Sequence, residues 1–195
     1  MSRRHVDQPF ERYADEAVVH CRTYAAAIQL REDLAKRLSQ CGLELHPTKT
    51  RIVYGADDNR PGAYPDTSFD FLGYTFRPRA AVNQREGGYF TSFLPAVSRT
   101  ALTAMRQVIH SWHVHLQGHR SLSDLAEEYN PVIRGWLQYY GRFYRSGLEP
   151  LRQHIDRVLV RWARRKYKRL RRHHRRAAHW LQEIAQWDPQ LFVHW

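Results

Sequence analysis

The spacing of apolar residues changes near Pro95, and this change limits the folds open to the chain. Before Pro95, short apolar runs separated by turn formers are typical of strands. After it, apolar residues recur every three or four positions, which is typical of helices that bury one face. The sequence therefore predicts an α+β protein, with a small mixed sheet over residues 1–95 and a helical module over residues 96–195.

The N-terminal part predicts a hairpin and a helix. Phe10–Tyr13 and Ala17–Cys21 predict short strands, with the dipeptide Asp15-Glu16 at the turn between them. Thr23 is the predicted N-cap of the following helix, and Gly42 is its predicted stop. The hairpin therefore places two carboxylates at its tip.

The middle of the chain predicts further strands. Residues 43–54 read as an extended piece, a turn at Pro47 and a strand, and the turn formers of 55–67 predict a loop. Ser68–Phe76 is apolar on both faces around a central glycine, which predicts a buried hairpin or a bent strand. Tyr89–Leu94 predicts one more strand.

Several helices are predicted after the sheet, the last over about 173–187. Ser98 caps the first, which runs to about Gln117, and Ser121–Asp124 opens a short second helix. Asn130-Pro131 reads as an N-cap followed by proline at the first position of a third. Gly147 and Pro150 separate that helix from a fourth. The predicted buried stripes are Leu102, Met105, Val108, Ile109 and Trp112 in the first helix, and Leu151, Ile155, Val158, Leu159 and Trp162 in the fourth.

A large excess of positive charge narrows the choice of partner. The chain has 31 Lys+Arg against 19 Asp+Glu, a net charge of +12. Such an excess favours a polyanionic partner, with nucleic acid ahead of a membrane surface. The chain lacks the roughly 18 consecutive apolar residues of a membrane span. Cys21 and Cys41 have no metal or disulfide spacing, so we expect a cytoplasmic protein.

The cations concentrate between Arg142 and Arg176, where the acids are only Glu149 and Asp156. Because arginine outnumbers lysine there, the pattern favours phosphate contact over an ordinary solvated helix face. Upstream, Asn130–Arg145 interleaves arginines with aromatic residues that can stack on bases. The predicted binding residues are Arg134, Arg142, Arg145, Arg157, Arg161, Arg164, Arg165, Lys168, Arg171 and Arg172. Four apolar residues of the second stretch are predicted to be helix core instead, namely Ile133, Trp136, Leu137 and Tyr140.

Other polar residues leave more than one interpretation open. Adjacent carboxylates such as Asp15 and Glu16 suit Mg²⁺, but a turn of this composition is also common on surfaces. A two-metal phosphoryl-transfer site needs a further carboxylate from another strand. Two groups of histidines have no paired cysteine or carboxylate at a recognised spacing, so we interpret them as polyanion contacts rather than zinc ligands. They are His110, His113 and His115, and His173, His174 and His179.

Four stretches occur in a telling order. Phe10–His20 contains Tyr-Ala-Asp-Glu, Gly42–Thr50 and Phe69–Phe76 follow it, and Asn130–Tyr140 comes last. In this order they resemble the active-site hairpin, the next palm motif, the primer grip and the maturase-specific thumb (domain X) of reverse transcriptases encoded by bacterial group II introns. The resemblance covers nearly the whole chain, and the ordered set is more specific than any one motif.

The resemblance implies roles for particular residues. Asp15 matches the metal-binding aspartate, and Asp15, Glu16 and Lys49 match catalytic positions. The primer-grip positions are Phe71, Leu72, Gly73 and Tyr74. The family implies Mg²⁺ for the intact enzyme, group II intron RNA as partner, a primer–template as a further ligand, and a role in splicing.

Two departures from the family pattern weaken the expectation of catalysis. Glu16 stands where the family has aspartate, and a misplacement of about 1 Å can cost about 10²-fold in rate. The fingers and the palm strand with the other aspartate would precede Met1. We therefore expect no independent polymerase activity and no cofactor for these residues alone. We also expect no endonuclease module after the thumb, which resembles the endonuclease-lacking forms of the family.

Three functional hypotheses remain. The first is an RNA-binding maturase that holds intron RNA or a primer–template. The second is half of a split RNA-directed DNA polymerase that needs fingers and the first palm aspartate in trans. The third is a basic module that binds DNA or a membrane surface.

Overall fold

The computed structural model describes residues 9–60, 62, 64–83 and 87–195, and it has the predicted α+β composition. In these residues, two antiparallel sheets hold five strands, β1 to β5, and there are five α-helices, α1 to α5. One sheet pairs β1 with β2, and the other has the order β3-β4-β5. The strands are β1 Phe10–Tyr13, β2 Glu16–Val19, β3 Phe69–Phe71, β4 Tyr74–Val82 and β5 Tyr89–Val97. The helices are α1 Tyr24–Ser39, α2 Arg99–Ser111, α3 Leu122–Tyr140, α4 Glu149–Lys166 and α5 His174–Trp187.

The first hairpin is confirmed, but its second strand begins one residue and ends two residues earlier than predicted. Tyr13 pairs with Glu16, so the turn contains Ala14 and Asp15, and Glu16 already belongs to β2. Ala14 adopts a φ of 52°, in the left-handed region that tight two-residue hairpin turns require. The predicted cap of α1 is confirmed, because Thr23 Oγ1 accepts a hydrogen bond from Ala26 N.

The predicted strand at the end of 43–54 is wrong. These residues form turns and irregular backbone, and Tyr54 N instead donates to Asp66 O at 2.8 Å. An alternating pattern needs a neighbouring strand to pair with, and the sheet of β3 to β5 does not include this segment. Residues 61 and 63 of the predicted loop lie outside the described residues.

The second sheet is larger than predicted. Ser68–Phe76 contains a hairpin, as one of the two predicted alternatives, and its turn consists of Leu72 and Gly73, both with positive φ. β4 continues past Phe76 to Val82 and pairs along its whole length with β5. Pro95 therefore lies inside a strand, opposite Phe76.

The predicted break at Asn130-Pro131 is wrong, because α3 runs through both residues. The buried residues Leu125, Tyr129 and Ile133 continue one stripe across the proline, so packing on the core outweighs the missing N–H. Asn130 does not cap a helix. Its side chain donates to Leu191 O at 2.8 Å and accepts from Val193 N at 3.1 Å, which fixes the C-terminal tail against α3.

The first predicted long helix is also shorter than expected. α2 ends at Ser111, His113 adopts a φ of 49°, and a 3-10 turn follows at Val114–Leu116. The chain therefore folds back onto α4 instead of continuing to Gln117. The start of α3 at Ser121 is confirmed by a reciprocal capping box with Asp124.

A single apolar core joins α2 to α5 and the tail. Trp162 on α4 is fully buried, and its Nε1 donates to Gln117 O at 2.9 Å. The predicted stripes are largely confirmed, except that Val108 is exposed. No helix in the described part of the chain is long and apolar enough to cross a membrane.

Candidate nucleic-acid interface

The cationic residues of α4 and of the segment after it face outward. We call this region the α4 surface, and define it by Arg157, Arg161, Arg165, Lys168, Arg171 and Arg172, all of which are exposed. The spacing of three or four residues along α4 places its arginines on one side, because the opposite side is buried in the core. The surface therefore presents a row of positive charges to solvent.

Arg164 differs from its neighbours. It is half-buried, and one of its guanidinium nitrogens donates to Arg171 O at 3.4 Å. Its Nε is buried and has no hydrogen-bond partner. Arg164 thus links α4 to the segment that follows it, whereas Arg134, Arg142 and Arg145 are exposed near the end of α3.

The acids near α4 do not neutralise this surface. In the described ranges, no ion pair joins a carboxylate to any of the ten predicted binding residues. Asp156 faces the tail, where it accepts from His194 and Trp195, and Glu149 accepts from Gln153 Nε2 at 3.1 Å. Exposed guanidinium groups without acidic partners are available for phosphate oxygens.

The aromatic residues of α3 divide between core and surface. Ile133 is buried, and Trp136, Leu137 and Tyr140 pack against the core, which confirms their predicted structural role. Tyr139 is exposed instead, at the end of the helix. Tyr139 contacts the β3–β4 hairpin, which lies beside this end of α3.

The turn between β3 and β4 docks onto the C-terminal end of α3. Tyr139 Oη donates to Leu72 O at 3.1 Å, and Tyr74 Oη donates to the carbonyl oxygen of Tyr139. Gly73 has a φ of +78°, and a Cβ there would lie 2.7 Å from Tyr140 Oη. Two motifs 65 or more residues apart in sequence thus form one aromatic contact.

Burial also affects the ionisation of this contact. The pKa of Tyr74 is raised because its ring is desolvated, and nearby Arg142 opposes the rise. Desolvation likewise raises the pKa of Tyr140. Both phenols therefore remain neutral donors at physiological pH. Tyr74 of the predicted primer grip therefore lies near Arg142 of the predicted binding set.

The predicted catalytic residues do not form a connected site among the described residues. Asp15 lies in an exposed turn, Glu16 begins an exposed strand, and Lys49 is exposed in a separate turn. Among the described residues, no hydrogen bond or ion pair connects Lys49 to either carboxylate, and no group of three or more potential metal ligands occurs. Asp15 and Glu16 have the oxygen ligands that Mg²⁺ prefers, but they do not fit a two-metal site by themselves.

The structure also brings together basic residues from separate segments, and one of them, His154, was not among the predicted polyanion contacts. His110, His115 and His154 meet Arg157 and Arg161 around a cavity between α2, the 3-10 turn and α4. On α4, the spacing of His154, Arg157 and Arg161 by three and four residues could have indicated that they share one face of the helix. The pairing of that face with α2 is tertiary and has no counterpart in local sequence.

Comparison with known families agrees with this organisation. A family model described as reverse transcriptase (RNA-dependent DNA polymerase) matches residues 1–76, and the group II intron, maturase-specific domain matches residues 102–180. No curated protein and no solved structure matches the chain. The two matches define a protein of the reverse transcriptase/maturase class. In chain order, the matches give a reverse transcriptase region followed by a group II intron maturase-specific domain, as the resemblance predicts.

Proposed function

We propose that the chain binds group II intron RNA through the α4 surface and supports splicing by holding that RNA. The observation that carries the proposal is a row of exposed arginines without carboxylate partners, on a helix whose acid Asp156 is engaged by the tail. The match to a maturase-specific domain over residues 102–180 supports intron RNA as the partner. A primer–template held near the docked β3–β4 turn is a further ligand in this proposal.

The proposed division of labour follows the two parts of the chain. We propose that residues 1–95 form a palm portion and that residues 96–195 form the RNA-binding thumb. The start of α2 directly after β5 supports a boundary close to this one, because β5 ends at Val97 and Ser98 caps the helix. An RNA partner and two free cysteines support the cytoplasm as the place of action.

RNA binding can be tested directly. The affinity for a labelled group II intron transcript and for random duplex DNA would be measured by fluorescence anisotropy over a series of salt concentrations. We expect tighter binding to the transcript, with an affinity that decreases steeply as salt increases. Equal affinity for both would support a generic basic module, and no binding at low salt would refute the proposal.

We also propose that residues 1–195 do not copy RNA by themselves. The support is that phosphoryl transfer depends on metal ions held by several carboxylates, and the tip of the hairpin offers only Asp15 and Glu16. Primer extension by the purified chain with Mg²⁺ should therefore give no product. Extension by this chain alone, lost in Asp15→Asn, would show that the proposal is wrong.

One observation favours a second candidate, the split polymerase. All residues of β1 are exposed, including Phe10 at 51% and Tyr13 at 63%, so the hairpin has an apolar surface available for a partner. A separate polypeptide carrying fingers and the first palm aspartate would then restore primer extension. This candidate predicts extension only from the mixture, and its loss when Asp15→Asn is used.

A further inference from the structure

A cavity of about 110 Å³ lies between the C-terminal half of α2, the 3-10 turn and α4. We call it the basic cleft. Its accessible surface is mostly apolar, and histidine and arginine side chains border it. The apolar lining residues are Ile109, Val114 and Val158, and the basic ones are His110, His115, His154, Arg157 and Arg161. The cleft is continuous with the α4 surface, because Arg157 and Arg161 belong to both.

The backbone after α2 builds this arrangement. His113 adopts the left-handed conformation, and its Nδ1 lies 2.6 Å from Ser111 O, which stabilises the sharp turn. The 3-10 turn that follows packs on α4, with Val114 buried beneath it. His115 is thereby brought close to Arg161 and Arg165 of a helix some fifty residues later.

The cleft has no acidic group to balance its charge. His154 is faced by Arg106 and His110 from α2, and by Arg157 and Arg161 from its own helix. The Nε of Arg106 is buried and has no hydrogen-bond partner. None of the ion pairs in the described part of the chain involves these residues.

His115 has a similar environment. It is faced by Arg165 and Arg161 from α4, and by His113 and His110 from its own side of the cleft. Burial first, and then these positive neighbours, lower the pKa of His115, and the same two causes lower the pKa of His154. Both imidazoles are therefore neutral at physiological pH in the free protein. An anion in the cleft would favour their protonated forms.

We propose that the basic cleft seats one phosphodiester of bound RNA, with Arg157 and Arg161 as permanent cations and His115 and His154 as cations completed by proton uptake from solvent on binding. This inference rests on the proposed function, since the ligand is the bound RNA. A phosphodiester offers two acceptor oxygens to guanidinium and imidazolium N–H groups. The apolar lining strengthens these contacts, because it lowers the local dielectric constant.

The proposal predicts that RNA binding is coupled to protonation. Affinity for a labelled intron transcript would be measured between about pH 5.5 and pH 8 at constant ionic strength. We expect the affinity to rise as pH falls, by up to about tenfold per pH unit for each linked proton. Calorimetry in two buffers of different ionisation enthalpy should show net proton uptake on binding at about pH 7.

Two matched variants separate the cleft from general protonation of the surface. The double substitution His115→Gln and His154→Gln should remove most of the pH dependence of RNA affinity and most of the proton uptake on binding. The control His20→Gln and His119→Gln alters two exposed histidines that do not line the cleft. It should retain the wild-type pH profile.

The outcomes distinguish this inference from the proposed function. Loss of RNA binding at every pH would refute RNA binding itself. Binding without proton uptake, or a pH profile unchanged in the cleft variant, would refute the cleft and leave RNA binding intact. A transcript stripped of its terminal phosphates should behave like the intact one, and loss of coupling on stripping would contradict an internal phosphodiester.

Discussion

The imidazole of His194 is buried, and its Nε2 lies 3.0 Å from Oδ1 of Asp156 on α4. The same oxygen accepts from Trp195 Nε1 at 3.1 Å. Because Asn130 of α3 binds the backbone on either side of Phe192, the tail contacts both helices through polar groups. Phe192 itself is buried in the core.

Replacement of Asp156 by alanine should therefore destabilise the helical part. Two N–H groups would lose their acceptor, one of them on a buried ring, so we expect the free energy of unfolding to fall by about 1–3 kcal/mol. Urea denaturation measures this change. Glu127→Ala on α3 is the control, because Glu127 is exposed, and it should change stability by less than about 0.5 kcal/mol. Equal losses in both variants would contradict the tail contact.

Gly73→Ala should weaken the docking of the β3–β4 turn. An alanine at a φ of +78° costs about 1 kcal/mol or more, and its Cβ would lie 2.7 Å from Tyr140 Oη. We expect a loss of about 1–3 kcal/mol in unfolding free energy.

Gly135→Ala provides a matched control for this substitution. A Cβ at Gly135 meets nothing within 4 Å, and the residue lies inside α3. Alanine there should stabilise the protein by up to about 1 kcal/mol. If both substitutions had the same sign, the contact with Tyr140 would not determine the result.

Reversal of the α4 arginines should reduce RNA affinity and its dependence on salt. The triple change Arg157→Glu, Arg161→Glu and Arg165→Glu should reduce the slope of log affinity against log salt by about 0.7–0.9 per lost phosphate contact. The control Arg22→Glu, Arg31→Glu and Arg37→Glu changes net charge equally at exposed positions on or before α1. Equal effects would attribute binding to net charge rather than to the α4 surface.

Stability without RNA should depend on pH in the direction set by His115 and His154. Their pKa values are lowered in the folded state, so below the ordinary value of 6.5 the unfolded chain binds protons that the folded chain does not. The free energy of unfolding should therefore decrease as pH falls below about 6.5. Thermal denaturation at constant ionic strength measures it, and His115→Gln with His154→Gln should reduce the decrease. A steeper loss in that variant would contradict the assignment.

The sequence predicted most local structure because caps and periodicities are local. Thr23, Ser98 and Ser121 begin helices as expected. The predicted helix start at Asn130-Pro131 was wrong, because these residue types are typical of a helix start. The continuation of α3 through them depends on the burial of one face, which is decided by packing. The strand predicted within residues 43–54 was wrong for a similar reason, since a strand forms only where another strand pairs with it.

The site was predictable in composition but not in assembly. The excess of arginine over acid along α4 is visible in the sequence, and the exposed positions agree with it. The role of Asp156 was not visible, because its partners lie 38 and 39 residues away. The contribution of α2 to the basic cleft depends on how two helices pack, and no motif spans them.

The bonds between Tyr139, Leu72 and Tyr74 have a mechanical consequence. They attach the hairpin that resembles a primer grip directly to the helix that precedes the basic region. If the helical module rotated on a bound RNA, these hydrogen bonds would move the hairpin in the same direction. In the proposed function, the position of the primer would then change together with the position of the bound intron RNA.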